Sequence, residues 1–176
     1  MNKTAKDVAY IGVAAASLTA VKLALSWLAN VELVTLLLVF YTLCLGKNRA
    51  FFACNVFIVV EVFIYGFGAW TISYILHWNF IVLITYLLYR KKVRKSIIYA
   101  LAITGATLAF GFQTTLIEVF LYSFNTNFLQ TFALRYFMGL SFFLTHILSA
   151  FITVFFLLPL LCKIPILDEE NKIVLY

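Results

Sequence analysis

Seven ionisable side chains interrupt stretches of sequence that are otherwise apolar: Lys22, Glu32, Glu61, His77, Glu118, Arg135 and His146. Each type has a definite chemistry. A carboxylate accepts hydrogen bonds from amides and amines, and a guanidinium grips a carboxylate or phosphate with two parallel N–H groups. Histidine does either, or moves a proton. Tyr65, Trp70, Tyr74, His77 and Asn79 crowd one short stretch of chain beside Glu61. Solute pockets join aromatic walls to a few polar groups in this way. The candidate binding set is Asn30, Glu32, Glu61, Tyr65, Trp70, Tyr74, His77, Asn79, Glu118 and Arg135. Each has a plainer alternative. Glu118 and Arg135 can simply pair, Lys22 and Glu32 can snorkel to an interface, and Trp70 and Trp78 can be interfacial anchors. Interfacial anchoring alone does not explain the crowding in one hairpin.

Catalytic and metal chemistry find little support. There is no Gly-x-x-x-x-Gly-Lys-[Ser/Thr] loop, no His-Glu-x-x-His and no Gly-x-Ser-x-Gly elbow. Two isolated histidines at different depths make no metal site, and no catalytic residue, metal or cofactor is assigned. Cys44, Cys54 and Cys162 have no ligand spacing and read as small apolar fillers.

The elements that must position the candidate residues follow from composition. The 176 residues are 65% hydrophobic and 11% charged, whereas soluble domains run near 45–50% apolar and about 25% charged. One soluble core of this size cannot bury so much apolar surface, so lipid must be the solvent. A spanning helix needs about 20 apolar residues. The spans predicted are approximately 8–28, 31–45, 50–66, 69–89, 96–122 and 135–161, the second being short and 128–134 ambiguous between an outer helix and the start of the last span. The first run is too long for a signal core and lacks a cleavage site. Six spans place Lys3 and Lys6, Lys47 and Arg49, the cluster from Arg90 to Lys95, and Lys163 and Lys172 all on one side. The excess of Lys and Arg in cytoplasmic loops makes that side, with both termini, cytoplasmic. The net charge of +6 is therefore a topology signal and not a nucleic-acid footprint. The fold class expected is an all-α membrane protein, a single compact six-helix bundle over 1–176, embedded in the lipid bilayer of a cell membrane and placed in the bacterial plasma membrane.

On this topology the buried charges occupy the outer half of the bundle and the inner half is nearly pure hydrocarbon, with His146 alone near the midplane. A second pattern lies on the first span. Gly12, Ala16, Ala20 and Ala24 recur every four residues, with Ala5 and Ala9 extending the ridge. Such ridges let helix backbones approach closely, within one bundle or toward a partner.

Asn30-Val31-Glu32-Leu33-Val34-Thr35, then Tyr41-Thr42-Leu43-Cys44-Leu45-Gly46-Lys47, and the hairpin Glu61-Val62-Phe63-Ile64-Tyr65-Gly66-Phe67-Gly68-Ala69-Trp70-Thr71-Ile72-Ser73-Tyr74 carry a family resemblance. In these segments the chain resembles the substrate-binding S components of energy-coupling factor (ECF) vitamin transporters. The likeness covers the first half; the second half matches in hydropathy only. It implies an S component of an ECF-type ABC importer. Such a subunit captures a vitamin-like small molecule from outside, while a separate transmembrane coupling subunit and two cytoplasmic ATPases supply the energy. In the family a small-residue motif on the first helix contacts the coupling subunit, a role that falls here on Gly12, Ala16 and Ala20. Within the family the chain looks closest to cobalamin or corrinoid S components, the alternatives being S components for pantothenate, a thiamine precursor or niacin. Outside it, the alternatives are a small membrane enzyme using Glu61, Glu118 and His77 as acid–base groups, or an assembly protein.

Overall fold

The computed structural model describes residues 3–28, 31–123 and 127–164. Among them the regular structure is helical: α1 (Lys3–Ala24), α2 (Val34–Leu45), α3 (Lys47–Tyr65), α4 (Ala69–Arg90), α5 (Ser96–Tyr122) and α6 (Phe128–Ile152). A π-helical turn, Thr153–Leu157, carries α6 on into a last turn, Leu158–Leu161. Pro159 stands just after the π turn. Its missing N–H and its ring disturb the hydrogen bond to the carbonyl four residues back, and the backbone widens there.

Five helices are long and apolar enough to cross a membrane: α1, α3, α4, α5 and the continuous rod Phe128–Leu161. Large apolar side chains project from them, Phe63 and Leu129 each at least three-quarters exposed. A water-facing surface does not tolerate such a girdle. This is the build of a multi-pass membrane protein.

The element that departs from the sequence reading is α2. It has 12 residues, about 18 Å of rise, well short of the roughly 30 Å hydrocarbon layer. Its sequence, Val-Thr-Leu-Leu-Leu-Val-Phe-Tyr-Thr-Leu-Cys-Leu, is apolar all round. A helix of that kind belongs inside a bundle, and Val34, Leu36, Leu38, Val39, Phe40 and Leu43 are buried against Phe57, Ile81, Tyr99 and Ile103. It packs against α1, α3, α4 and the π turn.

Other boundaries move as well. α1 starts at Lys3 and ends at Ala24, so 25–28 is a turn and not the top of a span. α6 takes in 128–134, because the Asn127 side chain accepts the Gln130 N–H at 3.2 Å and caps a helix there.

Two glycines set the hairpins. Gly46 (φ 82°, ψ 162°) joins α2 to α3, and Gly66 (φ 81°, ψ 168°) closes α3. Only glycine enters that region of backbone space cheaply. Short connections make successive helices antiparallel, and the bundle acquires two chemically different ends. At one lie Lys47, Arg49, Arg90 and the 91–95 loop, with Asp7 holding the Arg49 guanidinium at 2.7 Å. At the other lie the ends of α1 and α3 and the beginnings of α2 and α4.

Candidate functional site

The second end contains a hollow of about 470 Å³, lined by Lys22, Leu25, Ser26, Leu28, Val31, Glu32, Val34, Glu61, Tyr65, Trp70, Tyr74, Trp78, Phe110 and His146. Every helix contributes to its wall, and the reason is partly α2. Because that helix begins only at Val34, the chain before it leaves a gap above a short central rod, and the longer neighbours surround the gap.

Glu61, one turn before the end of α3, is fully buried, and neither carboxylate oxygen has a hydrogen-bond partner among the described residues. Its one charged neighbour is Lys22, whose Nζ stands 3.6 Å from Oε2. That ammonium donates to the Tyr74 hydroxyl at 2.7 Å and lies 4.5 Å from the Tyr74 ring centroid and 5.6 Å from that of Trp78. The lysine is thus shared between a phenol, two ring faces and a carboxylate that it does not saturate. An unmatched buried carboxylate is costly, and a donor supplied from the hollow would offset that cost.

The aromatic wall is one continuous row of rings on α4, the first pair edge to face and the second tilted. Trp70 and Tyr74 have ring centroids 5.1 Å apart, Tyr74 and Trp78 4.1 Å. Positions 70, 74 and 78 share a helix face at i, i+4 spacing. Gly68 makes room for this wall: a Cβ there would fall 2.9 Å from Trp70 Cδ1. The Trp78 Nε1 is buried and, like Glu61, has no partner.

Glu32 reaches the hollow in a different state. Its Oε2 accepts the Thr35 N–H at 2.9 Å, which satisfies a free donor in the first turn of α2. Its Oε1 meets His146 Nε2 at 3.1 Å. Its backbone N–H donates to Ser149 Oγ at 3.1 Å, and that hydroxyl donates to the Glu32 carbonyl at 3.0 Å. Four contacts make Glu32 a latch between the start of α2 and α6. Little of its carboxylate is left for a solute.

The candidate residues therefore separate. Glu32, Glu61, Tyr65, Trp70 and Tyr74 line the hollow. His77 lies behind its wall, buried, with its ring 4.7 Å from Phe110 and 5.7 Å from His146, and its Nε2 without a hydrogen-bond partner among the described residues. The two histidines are neighbours and not isolated, although no group of three metal-ligating side chains occurs among the described residues. Asn79 points elsewhere and pairs with Asn55 through two reciprocal amide bonds of 3.0 and 3.3 Å. Glu118 and Arg135 face each other at 3.6 Å, both well exposed, on the α5–α6 hairpin away from the hollow. Asn30 lies outside the described residues. Glu61, Glu118 and His77 share no common space, so the acid–base trio of the enzyme alternative is not assembled.

Lys22, His146, Trp78 and Phe110 also line it, with the apolar and small residues Leu25, Ser26, Leu28, Val31 and Val34, and were not in the candidate set. Lys22 carried a signal: counting residues places it level with Glu61, and opposite charges at one depth attract. His146 carried less, since its partner comes from a loop more than a hundred positions away in sequence. Phe110 carried none.

On α1 the ridge residues Ala5, Ala9, Gly12, Ala16, Ala20 and Ala24 are all exposed, and nothing lies within 4 Å of a Cβ built on Gly12. The bundle is met instead by Ala14, Ala15 and Leu18. No protein family, curated protein or solved structure matches the chain.

Proposed function

We propose that this chain is the substrate-capture subunit, the S component, of an ECF-type ABC importer, taking a vitamin-sized solute from outside the cell into the hollow at its non-basic end. The observation that carries this reading is Glu61: a buried carboxylate with two unsatisfied oxygens, facing an open hollow beside the Trp70–Tyr74–Trp78 stack. Buried polar groups are normally paired, and a bound solute with an N–H donor and a planar body would pair this one. The basic residues at the opposite end favour a cytoplasmic placement of that end, which turns the hollow outward in the bacterial plasma membrane.

The size of the hollow bears on the solute. Pockets of roughly 300–1,000 Å³ hold drug-sized ligands, and about 470 Å³ suits a small ring-bearing vitamin better than a corrinoid. The exposed small-residue ridge of α1 supports the second half of the proposal, a coupling subunit docked at Gly12, Ala16 and Ala20 with two ATPases behind it, since close backbone approach needs a face free of side chains.

The test is to purify the chain from vitamin-replete cells and identify co-purified small molecules by mass spectrometry, followed by binding titrations with small vitamins and cobalamin. A stoichiometric small-vitamin ligand supports the reading. No ligand, and no binding across the panel, rejects it; cobalamin binding would restore the corrinoid and overturn the size argument.

A further inference from the structure

A second hollow, of about 700 Å³, shares no lining residue with the first and lies between α3 and α4. Its sides are apolar and aromatic: Phe51 and Phe52 from α3, Leu76, Phe80 and Leu83 from α4, all exposed. Lys47 and Asn48 stand at its basic end. Lys47 Nζ lies 4.9 Å from the centroid of the Tyr86 ring, and the Arg90 guanidinium carbon lies 5.9 Å from the same centroid. Two cations from two helices thus converge on one ring. Among the described residues neither meets a carboxylate; the acid at this end, Asp7, is held by Arg49.

The trough has a direction. From Leu83 to Leu76 its α4 wall runs about 10 Å, at 1.5 Å per residue, with Tyr86 about one turn beyond Leu83. It passes the Asn55–Asn79 pair, whose amides also donate to the Phe51 and Ile75 carbonyls at 2.8 Å. That pair satisfies its own polar groups and presents a closed wall. The result is a cationic mouth joined to an apolar channel, open sideways where five spanning-type helices would face lipid.

We propose that this trough is a specific site for one anionic phospholipid, its phosphate between Lys47 and Arg90 and one acyl chain along Phe51, Phe80 and Leu83. Charge complementarity selects this occupant. The phosphate of a zwitterionic lipid brings its own ammonium group, which two protein cations would repel, and a free phosphate would leave the apolar channel empty. Basic groups at a membrane surface attract anionic headgroups, but here Lys47 lines the end of a shaped groove and Arg90, at the end of α4, shares the Tyr86 ring with it. The site is independent of solute capture.

The experiment uses the full chain, delipidated and reconstituted in nanodiscs of phosphatidylcholine with phosphatidylglycerol as the minority lipid. The probe is phosphatidylglycerol with a photoreactive acyl chain. Wild-type protein is expected to crosslink at residues in 47–55 and 76–86 and to retain phosphatidylglycerol through detergent extraction. Lys47→Gln with Arg90→Gln should lower that retention about thirtyfold, while Lys92→Gln with Lys95→Gln, on the loop beyond the trough, should leave it near wild type. Phe80→Ala should cut retention with both cations in place. Equal loss in the loop variant would mean diffuse surface charge and would overturn the site. So would crosslinks mapping elsewhere, equal retention of phosphatidylcholine, or capture of a protein partner in the trough with no lipid. Thermal unfolding in pure phosphatidylcholine discs shows that each variant is folded before its retention is compared.

Discussion

Glu61 and Lys22 form the pair on which solute capture turns. The carboxylate is fully buried and the ammonium about a quarter exposed, so the two substitutions have different consequences. Glu61→Gln keeps the shape, removes the charge and replaces one acceptor oxygen by a donor. A hydrogen bond to a charged group contributes roughly 1.5–3 kcal/mol, so ligand affinity should fall about ten- to a hundredfold in a binding titration, with the fold retained. Lys22→Met leaves a buried negative charge without its cation. That change should destabilise the protein by about 3 kcal/mol in chemical unfolding, and the double variant with Glu61→Gln should recover most of the loss, as coupled neighbours do. Additive losses would mean that the pair does not interact. Glu118→Gln should alter neither quantity by much, since its ion pair with Arg135 is solvent-exposed. At this scale the sequence reading was partial for a physical reason. Glu61, Trp70 and Tyr74 declared themselves by being polar or amphipathic in an apolar stretch, the two aromatics also sharing a helix face. Asn79, Glu118 and Arg135 looked equally suspicious, because a sequence gives depth along a helix more readily than direction around it. The Asn55–Asn79 pairing and the outward face of Glu118 are rotational facts.

Among the elements, α2 governs the rest. Its shortness opens the hollow, and its apolar sequence buries it. The Glu32 latch holds its first turn to α6 through Thr35, His146 and Ser149. Ser149→Ala removes the hydroxyl that both accepts from and donates to the Glu32 backbone, and should cost about 1–3 kcal/mol of stability, with faster hydrogen exchange at residues 31–36 as the local readout. The two hinge glycines belong to the same scale: Gly46→Ala and Gly66→Ala force a Cβ into a backbone region that costs roughly 1–3 kcal/mol, measurable as a lowered midpoint in thermal unfolding. The helices α4 and α5 match the expected 69–89 and 96–122 to within a residue, because the Gly66–Gly68 stretch and the Arg90–Lys95 cluster punctuate the apolar runs, whereas α3 begins at Lys47, three residues before the expected 50, since Lys47, Asn48 and Arg49 form its first turn and not a loop. α2 and α6 were not legible in this way. A short apolar run reads alike as a cramped span or a buried rod, and Asn127 was one polar residue among several before its capping bond identified it.

At the scale of the whole molecule, two ends and two faces matter. One end is basic; the other holds the hollow. One face, on α1, is a ridge of small residues; another, between α3 and α4, is an aromatic trough. On the proposed function the α1 ridge is the docking face, and Ala16→Leu should abolish pull-down of the coupling subunit while ligand binding stays intact. Unchanged assembly would reject the ridge as the contact. That lipid surrounds the helices was readable from composition alone, since few arrangements reconcile 65% hydrophobic residues with water, and the order of apolar runs and basic residues divided spans from loops. The hollow itself was foreseeable only as a crowding of polar groups near one end, because its volume depends on how far α2 falls short of its neighbours.

The central claim is that a solute fills the space between Glu61 and the α4 aromatic stack, and the most direct measurement is an experimental structure of the purified chain with its co-purified ligand. The account expects density for one small molecule there, with a donor nitrogen within hydrogen-bond distance of Glu61 and a planar group against Trp70 or Trp78. Density for the ligand elsewhere on the molecule, with Glu61 facing an empty hollow, would contradict it.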